Sequence, residues 1–159
     1  MSDFCIEIFL QPGDFYFGDR DTRIRTLLGS CVSITLWHPR LLIGGMCHFM
    51  NGKGRTGHSL DELDGRYAED ALKLFMIELD RSNTNPAEYE VKMFGGGNQF
   101  PGAPNLSRIN VSDDNIQIGL QLLNDYGFVV SKKHLGGNGY RHVIFDLSTG
   151  HVWIRHVDQ

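Results

Sequence analysis

Two residues in this chain carry the most chemistry. One is a cysteine directly after a Gly-Ser turn, in Thr26-Leu27-Leu28-Gly29-Ser30-Cys31. The other is a histidine at the far end of the next predicted strand, in Gly44-Gly45-Met46-Cys47-His48-Phe49-Met50. A thiol becomes a good nucleophile at neutral pH when a base stands beside it. The pattern points to cysteine-dependent acyl transfer. Cys31 is the nucleophile, and His48 is general base toward the thiol and then acid toward a leaving amine. Backbone N–H groups at the Ser30-Cys31 turn would hold an oxyanion. Thr26 would accept a hydrogen bond from the imidazole and set its tautomer. Each residue also has a plainer reading. A lone cysteine is commonly a buried structural residue, a strand threonine commonly only packs, and with seven histidines a chance Cys–His pairing is expected. Two features favour chemistry at Cys31: the sharp turn before it, and a face shared with Ser33 and Thr35 that does not read as core.

These residues need elements to bring them together. Cys31 to Trp37 alternates, with Val32, Ile34 and Leu36 on one face. His38-Pro39-Arg40 is a turn, and Leu41 to Met50 is the returning strand. An antiparallel hairpin of this kind sets Cys31 beside the His48 end. Alternation points Cys47 away from His48, so Cys47 reads as core; Cys5 has no assigned role. Further predicted strands are 4–10, 90–94, 128–135 and a last hairpin of 141–147 with 151–156. Arg66 to Leu79 is the clearest helix, with Tyr67, Ala71, Leu74, Phe75 and Leu79 along one stripe. Ser112 caps a second helix that buries Ile116, Leu120 and Leu123 and ends at Gly127. Residues 51–65, polar and glycine-rich, read as a mobile loop at the rim of the site. A loop with Pro101 and Pro104 follows the glycines at 95–97.

The whole chain sets bounds on function. Its 159 residues fit one domain, 1–159, with 41% hydrophobic and 21% charged residues. The net charge of −4 and the scattered Lys and Arg weigh against a nucleic-acid-binding role. There is no secretory leader and no membrane-length apolar run, which implies a cytoplasmic protein. Three cysteines without CxxC spacing suggest neither a disulfide framework nor a zinc site. Gly95-Gly96-Gly97-Asn98 lacks the Gly-Lys-Ser/Thr ending of a phosphate loop and reads, like Gly136-Gly137, as a tight turn beside the site. Mixed strands and helices with tight hairpins predict an α+β, mixed α/β architecture that is not a wholly parallel sheet.

In order along the chain, Thr-Leu-Leu-Gly-Ser-Cys-Val, Gly-Gly-Met-Cys-His-Phe-Met, Gly65-Arg66-Tyr67-Ala68, Phe94-Gly95-Gly96-Gly97-Asn98, and Gly136-Gly137 with Arg141, Val143, Phe145 and Thr149-Gly150 resemble the chemoreceptor glutamine deamidase family, CheD. The resemblance covers nearly the whole chain. It implies a single-domain layered sandwich of mixed, largely antiparallel sheets flanked by helices. It also implies a cytoplasmic chemotaxis enzyme that hydrolyses receptor glutamine amides to glutamates, and in some members receptor methyl esters, without metal or organic cofactor. The family's nucleophile and base carry over to Cys31 and His48, and Thr26 is the candidate third member. The implied partners are chemoreceptor cytoplasmic helices and a CheC-type phosphatase, with no nucleic acid and no membrane insertion. Departures from the family pattern are Asn51-Gly52 after His-Phe-Met, Asp114 where an arginine is usual, and His134 where an aspartate is usual. The alternatives are a catalytically weak adaptor for a phosphatase or receptor, and a different cysteine hydrolase.

Overall fold

The computed structural model describes residues 4–52, 62–100 and 111–158. In chain order the elements are β1 (Ile6–Leu10), β2 (Phe15–Gly18), β3 (Thr22–Leu28), β4 (Val32–His38), β5 (Ile43–Cys47), α1 (Ala68–Arg81), β6 (Glu90–Gly95), α2 (Val111–Asp125), β7 (Val130–Leu135), β8 (Tyr140–Asp146) and β9 (Val152–Val157). They form two sheets, β1-β3-β8-β9 and β2-β5-β4-β6-β7. The β1–β3 and β6–β7 pairs are parallel and the others antiparallel.

The apolar residues sort into two cores separated by the five-stranded sheet. On one side, Val32, Ile34, Leu36, Cys47, Phe49, Val91 and Met93 meet the helix residues Ala68, Ala71, Leu72, Phe75, Leu79, Ile116 and Leu123. On the other side, Met46 and Phe94 meet Leu10, Ile24, Leu28, Val143, Phe145 and Leu147. The layers are therefore helices, five-stranded sheet, four-stranded sheet. Both helices lie on one side, and the outer face of the four-stranded sheet carries exposed residues such as Phe9, Leu27 and Trp153.

The central strand β4 is buried on both faces. Val32, Ile34 and Leu36 face the helices; Cys31 and Trp37 pack against the inter-sheet core. Ser33 and Thr35 are buried with them, which corrects the reading of their face as non-core. A neighbouring sheet covers that face, and one strand's alternation does not reveal it.

Other differences are local. β2 and β3 have no counterpart among the predicted strands. Yet Thr-Arg-Ile-Arg-Thr-Leu-Leu alternates, burying Thr22, Ile24, Thr26 and Leu28 and turning Arg25 and Leu27 outward. The first helix starts at Ala68 rather than Arg66, and its buried stripe takes in Asp70 and Leu72 while Tyr67 becomes the N-cap. Tyr67 offers no side-chain cap; the carbonyls of Asn51 and Gly52 receive the Ala68 and Glu69 N–H groups instead. These main-chain acceptors, which any residue pair there would offer, satisfy orphan donors of the first turn. Ser112 lies inside α2 rather than capping it, and its hydroxyl donates to the Gly97 carbonyl. Most of the expected rim loop, and the Pro101–Pro104 loop, lie outside the described residues.

Gly44 sits where β5 passes β4. A Cβ there would lie 2.0 Å from the Leu36 carbonyl oxygen, so a backbone atom would have to move. Gly44→Ala is expected to cost at least about 2 kcal/mol, read as a lowered urea midpoint with an unchanged slope.

Candidate active site

The inter-sheet layer ends where β3 hands the chain through Gly29-Ser30-Cys31 to β4. Thr26 points into this layer from the four-stranded sheet, and its hydroxyl lies 2.7 Å from His48 Nδ1. The same hydroxyl donates to the Leu10 carbonyl at 2.9 Å. A hydroxyl has one proton to give. With that proton on Leu10, Thr26 accepts from Nδ1–H, and the neutral imidazole keeps its lone pair on Nε2. Both residues are almost wholly buried, 1% and 2% exposed, so little water competes for this bond. The His48 carbonyl is also held, accepting from Gly13 N–H in the first turn.

Hairpin register relates His48 to Cys31. Thr35 pairs with Met46, and Val32 bridges Phe49. The same register sets Ser33 opposite His48 and Cys31 opposite Met50. Cys31 and His48 thus share the inter-sheet face as diagonal neighbours, a backbone separation of roughly 7–8 Å that long side chains span. No hydrogen bond joins the thiol to the imidazole in this resting arrangement. Catalytic contacts are commonly looser before substrate arrives.

Electrostatics leaves both groups neutral at rest. Burial pushes the Cys31 thiol above its ordinary value. Burial also lowers His48 to about 4, against a smaller opposing pull from Asp14. Cys47, wholly buried in the helix-side core, is pushed up to about 12 by burial. Cys5 is exposed on the first strand's approach, away from this arrangement.

The turn that carries Cys31 is held by its backbone. Gly96 N–H donates to the Cys31 carbonyl at 2.9 Å, and Gly97 N–H to the Gly29 carbonyl at 3.0 Å. The glycines at 95–97 are therefore a brace for this turn. Gly95 and Gly96 adopt positive φ, and a Cβ at Gly95 would meet the Cys31 carbonyl oxygen at 2.3 Å. The N–H groups of Ser30 and Cys31 have no acceptor among the described residues.

Two residues that sequence reasoning did not assign complete the support. Asn115 of α2 is 2% exposed, and its Nδ2 donates to the Ser30 carbonyl at 3.3 Å and the Met50 carbonyl at 3.1 Å. It ties the turn before Cys31 to the strand end after His48. The available signal was its place, with Ser112, Ile116 and Gly119, on the buried stripe of α2. Asp114, the charge-reversed departure, is exposed in the first turn, where a carboxylate suits the helix dipole. Arg141 is 1% exposed. Its Nε donates to His134 Nδ1 at 2.8 Å and its Nη2 to the Gly136 carbonyl at 2.6 Å, while Nη1 has no partner. Gly136 N–H in turn holds the Gly95 carbonyl. In place of the family's aspartate, the buried guanidinium meets an imidazole that must be unprotonated at Nδ1 to accept.

Burial, then the Arg141 charge, then His156, lower the His134 pKa. His48 is lowered as well. A histidine whose folded pKa is depressed binds protons more readily unfolded, so its stabilisation is complete above the unfolded value of about 6.5 and is lost as pH falls below it. The urea midpoint is expected to drop between pH 6.5 and 4. His134→Asp, which gives Arg141 a carboxylate, is expected to show a higher midpoint than wild type at pH 5.

Known proteins resemble this arrangement's sequence closely. The family model described as CheD chemotactic sensory transduction matches residues 52–156. A probable chemoreceptor glutamine deamidase CheD 3 of Dechloromonas aromatica is 45% identical over 148 residues, covering 93% of this chain and 86% of its own. A probable chemoreceptor glutamine deamidase CheD of Pseudomonas syringae pv. tomato is 44% identical over 153 residues, covering 96% of this chain and 90% of its own. Its counterpart in Pseudomonas fluorescens is 46% identical over 151 residues, covering 94% and 84%. The family-model match begins after Cys31 and His48; the relatives span more than nine-tenths of the chain.

Proposed function

The chain belongs to the CheD family, and on that premise we propose that it is a chemoreceptor glutamine deamidase whose catalytic set is Cys31, His48 and Thr26. One observation carries the site assignment. The buried Thr26–His48 bond commits Nδ1 to structure and leaves Nε2 free on the face shared with Cys31. A receptor glutamine presents its side-chain carbonyl carbon to Cys31. As Sγ attacks, the thiol proton passes to His48 Nε2, because thiol and imidazole start neutral. The N–H groups of Ser30 and Cys31 receive the oxyanion. His48 returns the proton to nitrogen, ammonia leaves, and a thioester remains. Water then adds to the thioester carbonyl as His48 takes its proton. Collapse expels the thiolate, which recovers that proton, and glutamate is released. Each turnover adds one negative charge to a receptor helix, which changes its pairing with neighbouring charges.

Among the described residues no helix is long and apolar enough to cross a membrane. We place the reaction in the cytoplasm, where thiols stay reduced. A CheC-type phosphatase as second partner rests on the family resemblance alone. Whether receptor methyl esters are also cleaved follows from the same chemistry, since an alkoxide can leave in place of the amine.

The test is mass spectrometry of a chemoreceptor cytoplasmic fragment after incubation with the protein. Glutamine should become glutamate at discrete positions. Cys31→Ala and His48→Ala should each lose at least about 10³-fold in rate while remaining folded, with a lowered thermal midpoint for the buried His48→Ala; normal turnover by Cys31→Ala would sink the mechanism. No conversion by folded, receptor-bound wild type would favour the adaptor reading.

The acid limb of kcat/KM is expected well below pH 6.5, because the base stays unprotonated until about pH 4. Asn115→Ala is expected to lower kcat more than tenfold with little change in KM, since it loosens the turn carrying the nucleophile. A matching rise in KM with kcat unchanged would show Asn115 acting on substrate binding instead.

A further inference from the structure

On the side where β7 and β9 are the edges of their sheets, the sandwich does not close. A cleft of about 350 Å³ remains, lined by Lys92, Phe94, Lys132, Lys133, His134 and the β9 segment from His151 to Ile154. Its floor is apolar: Phe94, Val152 and Ile154 belong to the inter-sheet core. Its wall is basic. Lys92 pairs with Lys132 and Phe94 with His134 across β6 and β7, so Lys132 and His134 stand on the face of Lys92, while Lys133 pairs with Met93 on the opposite face. No carboxylate lines the cleft. Among the described residues none of the three lysines makes an ion pair.

Lysines on an edge strand have an ordinary use, since they deter strand-to-strand aggregation. That accounts for Lys132 and Lys133 on β7. It does not account for Lys92, which lies on the interior strand β6, is half-buried, and has the Gly150 carbonyl at 3.0 Å as its hydrogen-bond acceptor. Burial and the neighbouring Lys132 both press on its charge, while Glu90 on the same strand relieves it from outside the cleft. An interior lysine with one neutral acceptor, beside the Lys132 ammonium on the same face and in a chain of net charge −4, is a concentration of positive charge that no carboxylate lining the cleft balances.

We propose that this cleft is a binding site for a small phosphorylated anion, with Lys92 and Lys132 on its phosphate oxygens and the Phe94–Ile154 floor under its apolar part. The volume is that of a small-molecule site and too small for a helix. Ammonium groups bind phosphate as point charges and tolerate its varied geometry. The cleft is separate from Cys31. β6 and β7 are one and two strands removed from β4, about 5 and 10 Å across the sheet. Occupancy therefore does not depend on the deamidase reading.

The test is titration of the whole protein with inorganic pyrophosphate, followed by calorimetry and by amide NMR shifts, at low ionic strength and at 150 mM NaCl. Saturable one-to-one binding is expected, with shifts gathered on Lys92, Lys132, His134 and His151. Lys92→Met, which keeps the apolar stem, should weaken binding at least tenfold. Lys132→Gln, on the exposed strand, should do the same if Lys92→Met fails to fold. Lys73→Gln, exposed on α1, should leave it unchanged. Citrate, run in parallel, distinguishes phosphate from carboxylate recognition; equal or tighter citrate binding overturns the phosphate assignment. Non-saturable binding, shifts scattered over the surface lysines, or unchanged affinity in both cleft variants overturns the site and leaves the lysines as edge protection.

Discussion

Strand β4 has no face to give to solvent. Its even-numbered residues fill the helix-side core, and its odd-numbered residues lie under the four-stranded sheet. That double burial is the constraint from which the site follows. A strand buried on both sides meets substrate only at an end, and the end of β4 that carries Cys31 is where the chain crosses from one sheet to the other. The part-buried Cys31 thiol sits at that end of the layer. Everything deeper, from Ser33 to Thr35, is sealed.

Polar groups inside such a layer must be satisfied by one another. Thr26, His48 and the Leu10 carbonyl do this as a chain of two hydrogen bonds, and the direction of the chain sets the imidazole tautomer. The same burial that strengthens those bonds lowers the histidine's basicity and raises the thiol's pKa. The resting pair is thus uncharged. Ser33 Oγ and Arg141 Nη1 remain without partners near this end, so satisfaction is incomplete around the site.

Support for the Cys31 turn is mostly backbone and comes from distant segments. Gly96 and Gly97 donate to the carbonyls of Cys31 and Gly29. Asn115 reaches from α2 to the carbonyls of Ser30 and Met50. Arg141 holds Gly136, which holds Gly95. A mutation in any of these would shift Cys31 without touching substrate. His134 sits in this network and holds the buried Arg141 by a neutral ring rather than by a carboxylate.

Much was legible in the sequence. The β4–β5 hairpin follows from alternation around His38-Pro39-Arg40. The two helices follow from their apolar stripes, and the last hairpin from its turn residues. Cys31 and His48 were identifiable as a pair because antiparallel pairing brings strand ends together. Cys47 was assignable to core because alternation turns it away. Local periodicity does not say what covers a face, so Ser33 and Thr35 read as a polar surface although a second sheet buries them. Strand β3 carries a weak apolar signal because two of its buried positions are Thr22 and Thr26 while Leu27 faces outward. The Thr26–His48 contact and the clamp of Asn115 join segments 22 to 85 residues apart. Such contacts depend on how two sheets and a helix stack. Sequence thus determined which groups were present and which neighbours shared a strand. Only the packing of the layers decided which of them lost water, and hence which could shape one another's protons.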